Sequence, residues 1–153
     1  MPIRIQDHFA QLTEKAAGDL LAAFDNLPAD KRDWSPMGQA RTALDQMAEV
    51  AILNGSTAEL LKTHQFDPNF DFEKFAQQKA ALAKDWTALK EMYDVNTPFV
   101  IQTIRHVADE DLEIEIQMPW GLMTISQIMG YPFWNMCYHE GQINYIASLL
   151  DCL

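Results

Sequence analysis

The sequence predicts an all-α protein, a four-helix bundle closed by one long crossover connection. Three observations carry that expectation. Apolar residues recur at three- and four-residue steps along most of the chain, the period of helices with one buried stripe. Clusters of Pro, Gly, Asp and Asn separate these stretches and mark where the chain turns. The 153 residues are 48% hydrophobic, so a single domain spanning residues 1–153 can enclose one ordinary core.

Ile5, Phe9, Leu12, Ala16, Leu20 and Phe24 form the stripe of the first helix. Leu27-Pro28-Ala29-Asp30 ends it, and Trp34-Ser35-Pro36-Met37-Gly38 keeps the chain irregular. Thr42 and Asp45 have capping-box spacing at the start of a second helix that runs through Met47, Val50, Ala58 and Leu61 toward His64. Asn54-Gly55, a weak helix pair inside it, marks a bend or the close approach of another backbone. After Phe66-Asp67-Pro68-Asn69, the residues Phe72, Phe75, Leu82, Trp86, Leu89 and Tyr93 predict a third helix. Thr97-Pro98 is expected to restart the chain, with Pro98 in the first turn of a shorter helix through Ile101 and Ile104. Alternation over Leu112–Ile116 predicts a short extended segment around 112–118, followed by a turn at Met118-Pro119-Trp120-Gly121. Thr124 and Gln127 cap the last helix, which Pro132 kinks unless its first turn is a separate piece.

Charge excludes several functions. Lys and Arg number 11 against 22 Asp and Glu, a net charge of −11, which disfavours nucleic acid and anionic membrane surfaces because both are bound through Lys and Arg. The imbalance is local: His106 to Leu153 holds seven acids and no Lys or Arg. It is either a solvated acidic face or a field around a cation site. No run has the roughly 20 apolar residues of a membrane span, and the amino end does not resemble a secretory signal, so a cytoplasmic location is expected. Cys137 and Cys152, read as lying on one helix about 22 Å apart, are too distant for a disulfide and are expected to be reduced.

The densest polar cluster lies on the apolar last helix, from Trp134 to Tyr145. Asn135, His139 and Gln142 share a face there, whereas Cys137 points elsewhere. His64 and His106 sit where helix C-termini favour a cation, and Trp120 either roofs the bundle end or lines a pocket. There is no phosphate-binding glycine loop, nucleophile elbow or Cys-x-x-Cys pair.

Tyr138-His139-Glu140-Gly141-Gln142-Ile143, preceded by Pro132-Phe133-Trp134, resembles the signature of the DinB-like (DinB/YfiT) superfamily of metal-binding helical proteins. Leu27-Pro28, Trp34-Ser35-Pro36, Arg41-Thr42 and Met118-Pro119-Trp120-Gly121 follow the same order along nearly the whole chain. The resemblance implies a bundle holding a metal on three histidines, one from the second helix and two from the last. His139 matches one of the last-helix pair; its partner position falls on Asn135 and the second-helix position on Glu49, or one turn away on Gln46. One divalent ion (Zn, Ni, Mn or Fe) on His139, Glu49 and Asn135, with Gln46, Gln142 and Trp120 around it, is therefore one expectation. It would make the chain an enzyme of the thiol-dependent transferase type, as relatives include enzymes that use low-molecular-weight thiols. The other is a metal-free Glu49–His139 pair in a non-catalytic bundle that binds a small molecule or protein partner. Relatives often pair through bundle helices, so a homodimer is expected in either case; no catalytic residue is assigned.

Overall fold

The computed structural model describes every residue from Met1 to Leu153. Four long helices form the bundle: α1 (Ile5–Asp25), α2 (Ala43–Thr63), α4 (Trp86–Arg105) and α6 (Tyr131–Leu149). The shorter α3 (Phe72–Leu82) lies against α2, and α5 (Ile125–Met129) precedes α6. α2 packs most extensively on α4, and α1 on α6. The crossover from α4 to α6 carries a hairpin, β1 (Glu115–Met118) and β2 (Gly121–Thr124), antiparallel with Glu115 opposite Thr124 and Met118 opposite Gly121. No helix is long and apolar enough to cross a membrane.

Local chemistry explains most boundaries. Thr42 accepts from the Asp45 amide at the start of α2, and Thr124 with Gln127 completes a reciprocal capping box on α5. Gly130 ends α5, so Pro132 falls in the first turn of a separate α6, where its missing N–H costs nothing. Gly55 marks a close approach, but of a side chain: a Cβ there would lie 2.5 Å from Asn96 Nδ2, which donates to the Ala51 carbonyl at 2.8 Å.

Three boundaries correct the sequence reading. The third stripe is two helices, because Asp85 caps a new start by accepting from the Ala88 amide. Pro98 does not begin a helix; α4 runs through it, since Tyr93, Thr97, Val100, Ile101 and Ile104 are buried along one continuous face. Only residues 115–118 of the 112–118 segment form a strand, after a 3-10 turn at Asp109–Asp111. Replacing the exposed Pro98 by alanine restores the missing helix donor and is expected to stabilise the chain by about 2 kcal/mol, after allowing for the greater freedom of the unfolded alanine variant. Calorimetry should record a thermal midpoint raised by roughly 4–8 °C.

The core has two apolar clusters. One is built on Leu20, Phe24, Met47, Leu89 and Met136, the other on Leu61, Ile104, Ile125 and Met129. Along the helices the buried polar residues Thr13, Asn54, Thr97 and Asn135 fall between them. Asn54 donates to Thr97 Oγ1 at 3.2 Å, which ties α2 to α4 at that level. Gln6, buried in α1, donates to the Val107 carbonyl and to Asp109, fixing the start of the crossover.

Candidate functional site

His139 is 1% exposed and lies on the inner face of α6 between Met136 and Ile143. Two acceptors of α2 meet its ring: Gln46 Oε1 at 2.8 Å from Nδ1 and Glu49 Oε1 at 3.1 Å from Nε2. Gln46 and Glu49 are three apart on one helix, so both reach the same ring. Both ring nitrogens are thus engaged from α2, with the donor and acceptor roles following the tautomer. The second oxygen of Glu49 faces Arg41 Nη2 at 2.7 Å and Lys79 Nζ at 3.5 Å. Arg41 also pairs with Asp45, and Lys79 lies 3.7 Å from the other Asp45 oxygen. Arg41 arrives from the residue before the α2 cap, and Lys79 from α3.

Burial alone would raise the Glu49 carboxyl, but the His139 hydrogen bond and the Arg41 guanidinium outweigh it and bring the group down to about 2. Burial, with the negative charge of Glu49 behind it, pushes the Tyr131 hydroxyl up to about 12, which keeps it a neutral donor beside the cluster. Cys137 is not a nucleophile of this site: burial and the nearby Glu140 and Asp19 carboxylates push its thiol up, against thiolate formation. Cys137 and Cys152 are unpaired, and Cys152 lies just beyond the end of α6.

The sequence-named residues divide. Glu49 and Gln46 were alternatives, and both contact His139. Asn135 lies one turn before His139 on the same helix, 3% exposed, with its Nδ2 donor unpartnered. Gln142 is only partly buried and does not reach His139, because Ile143 takes the inward position one turn on. Trp120 is not part of the site. It occupies the two-residue hairpin turn, 63% exposed, edge-on to Phe66 and with its indole N–H on Met123 Sδ at 3.1 Å. His64 and His106 are the C-caps of α2 and α4.

Arg41 and Lys79 were missed, since they come from an irregular segment and from a helix whose stripe Lys79 interrupts. Their presence bears on the second of the two readings of the acidic stretch, a field around a cation site. The basic-free final third contributes His139, but the one carboxylate it meets, Glu49, is paired with cations from earlier in the chain.

No family model matches the chain, and no curated protein matches it in sequence. Solved structures do match. YfiT from Bacillus subtilis, described as a probable metal-dependent hydrolase with an unusual four-helix bundle topology, superposes with a TM-score of 0.75 at 13% identity, over 95% of this chain and 87% of that one. The mycothiol-dependent maleylpyruvate isomerase superposes with a TM-score of 0.76 at 11% identity. That match covers 94% of this chain but 61% of the isomerase, so this chain spans less than two thirds of its length. The chain has the DinB/YfiT-like fold.

The donors at the centre of this DinB/YfiT-like bundle do not fit a divalent ion. Both imidazole nitrogens are already engaged by side chains of α2, and the remaining Glu49 oxygen is held by two cations. Asn135 would offer only a weak amide oxygen, and no three His, Cys, Asp or Glu side chains converge anywhere in the chain.

Proposed function

We propose that this chain is a metal-independent binding protein on the DinB/YfiT-like fold, in which a Glu49–His139–Gln46 network occupies the centre of the bundle. One observation carries the reading: both nitrogens of His139 are engaged by acceptors of α2, and Arg41 holds the far oxygen of Glu49. The unpartnered Asn135 Nδ2 supplies a buried donor beside that network, which suits a small molecule carrying a carbonyl or carboxylate oxygen, since a buried donor left unmet costs about 1–3 kcal/mol.

A second reading has support from the fold, because YfiT is described as a probable metal-dependent hydrolase and the isomerase as mycothiol-dependent. On that reading one Zn, Ni, Mn or Fe ion sits on His139, Glu49 and Asn135 and activates a thiol. It requires the ion to displace Arg41 from Glu49 and to take the place of the Glu49 contact at one His139 nitrogen, while Gln46 keeps the other; three free imidazoles would carry no such cost.

Metal analysis of protein purified without a nickel column separates the two. The expected result is far less than one equivalent of any transition metal per chain, unchanged in His139→Ala and still low after dialysis against each ion. One equivalent that disappears in both His139→Ala and Glu49→Ala would overturn the proposal in favour of the metal reading.

A further inference from the structure

A cavity opens at the end of the bundle away from His139. α2 and α4 both finish there and the crossover begins, so the walls come from the last turns of the two helices and from residues 107–111. Its volume is about 510 Å³, within the roughly 300–1,000 Å³ of small-molecule sites. His64, on its rim, lies 15 residues beyond Glu49 along α2, about 22 Å at 1.5 Å per residue. The cavity is therefore separate from the Glu49–His139–Gln46 network.

Its lining is weighted toward negative charge and acceptors. Two helix C-termini bring the negative ends of their dipoles, each equivalent to roughly half a charge, and Asp111 adds a carboxylate. Lys62 is the only Lys or Arg of the lining, and Glu59 stands 3.8 Å from it. Asp109, Glu110 and Asp111 belong to the basic-free stretch; Asp109 is taken up by Arg4 and Gln6, and Asp111 faces the cavity. His64 ends α2 in the left-handed conformation, φ 56 and ψ 30, where glycine is the usual residue. A glycine would bring no side chain, whereas His64 Nε2 lies 3.6 Å from Asp111 Oδ2 and keeps that carboxylate beside the helix end. His106 Nδ1 lies 2.7 Å from the Gln102 carbonyl. A carbonyl only accepts, so Nδ1 carries the hydrogen and the neutral ring keeps a lone pair on Nε2.

The chain supplies its own stand-in for an occupant. Lys62 Nζ stands over the Phe99 ring, 5.3 Å from its centroid, the geometry of a cation–π contact. The Lys62 side chain is 54% exposed and its pairing with Glu59 is a surface one, which holds it only weakly, so a second ammonium can displace it from the ring. We propose that this cavity binds a small organic cation, whose ammonium takes the place of Lys62 on Phe99 and faces the Asp111 carboxylate. Leu61 and Val107 give the cavity apolar walls for the hydrocarbon body of such a molecule. An anion would meet Asp111 and two helix C-termini, all of which oppose it. A bare metal ion is not held either, because His64, His106 and Asp111 do not converge on one point.

Nuclear magnetic resonance titration of the full chain at fixed ionic strength tests this, with phenethylamine, tetramethylammonium and spermidine as cationic probes and 3-phenylpropionate as the anionic counterpart of the first. At least one cation should move the His64, His106 and Phe99 side-chain signals saturably, with a Kd of about 1 mM or below, and leave His139 in place. The phenylpropionate should produce no saturable shift. Asp111→Asn should weaken the cation about fivefold, and Phe99→Leu about two- to fivefold. Lys62→Met, which vacates the ring, should strengthen it about threefold. All three positions are on the cavity wall rather than in the core, so circular dichroism should be unchanged. No saturable shift with any of the three cations up to about 10 mM would overturn the proposal, as would cation binding that is equal in wild type and Asp111→Asn. Binding of the phenylpropionate that is lost in Lys62→Met would overturn it in favour of an anion site.

Discussion

His139→Ala is expected to lower the free energy of unfolding by about 3–5 kcal/mol, the usual cost of removing one partner from a buried charged pair. The ring is 1% exposed, with Gln46 Oε1 2.8 Å from Nδ1 and Glu49 Oε1 3.1 Å from Nε2. Its loss leaves both side chains without their partner and opens a cavity between Met136 and Ile143. Glu49→Ala should cost a similar amount, because the imidazole then faces no carboxylate while Arg41 keeps Asp45. Arg41→Ala should cost less, since its side chain is 31% exposed and partly exposed ion pairs contribute at most about 1 kcal/mol. The double variant of His139 and Glu49 should be less destabilised than the two singles added together, by about 1–3 kcal/mol, since the residues are in contact. Urea unfolding of the wild type and the four variants measures all of this. Losses below about 1 kcal/mol in both single variants would mean that the network is not formed in solution.

The reach of the sequence is clearest where periodicity and caps agree, and it fails where one hides the other. α1 and α2 were legible because an apolar stripe coincides with turn residues at both ends, and α6 because a long apolar run follows a capping box. The break between α3 and α4 was hidden because Leu82, Trp86 and Leu89 keep helical spacing straight across it; the signal was Asp85, an acidic residue three before Ala88, whose amide it caps. Pro98 misled in the opposite direction: its propensity argues for a helix start, but burial of Tyr93, Thr97 and Ile101 on one face of α4 holds the helix through it. At the centre, spacing placed Gln46 and Glu49 within a turn of each other and offered them as alternatives. It could not show that one ring has two nitrogens and accommodates both. Lys79 was illegible for a different reason, as it comes from α3 and meets Asp45 and Glu49 only after α3 has folded against α2, whereas Arg41, four before Asp45, was within reach of spacing but lay in the irregular segment before the cap.

These cations also decide how the centre responds to acid, and stability should fall by about 3 kcal/mol through Glu49 alone as the pH drops from above 5 toward 2. The carboxyl stands near 2 in the folded chain, from an ordinary 4.5, and each unit of displacement is worth about 1.4 kcal/mol. A depressed folded value means that the unfolded chain binds the proton first. Glu49 therefore contributes fully above its unfolded pKa, and the contribution is lost between about 4.5 and 2. Its side chain is 16% exposed, so solvent screens little of this. Other carboxylates titrate in the same window, so the informative quantity is the difference between wild type and Glu49→Gln, which keeps the shape and removes the titration. That difference should be largest near pH 6, where the charged carboxylate faces His139, Arg41 and Lys79, and should shrink by about 3 kcal/mol by pH 2. Chemical denaturation at a series of pH values reads it directly. A difference that stays constant across the series would place Glu49 outside the cationic pocket that Arg41 and Lys79 form.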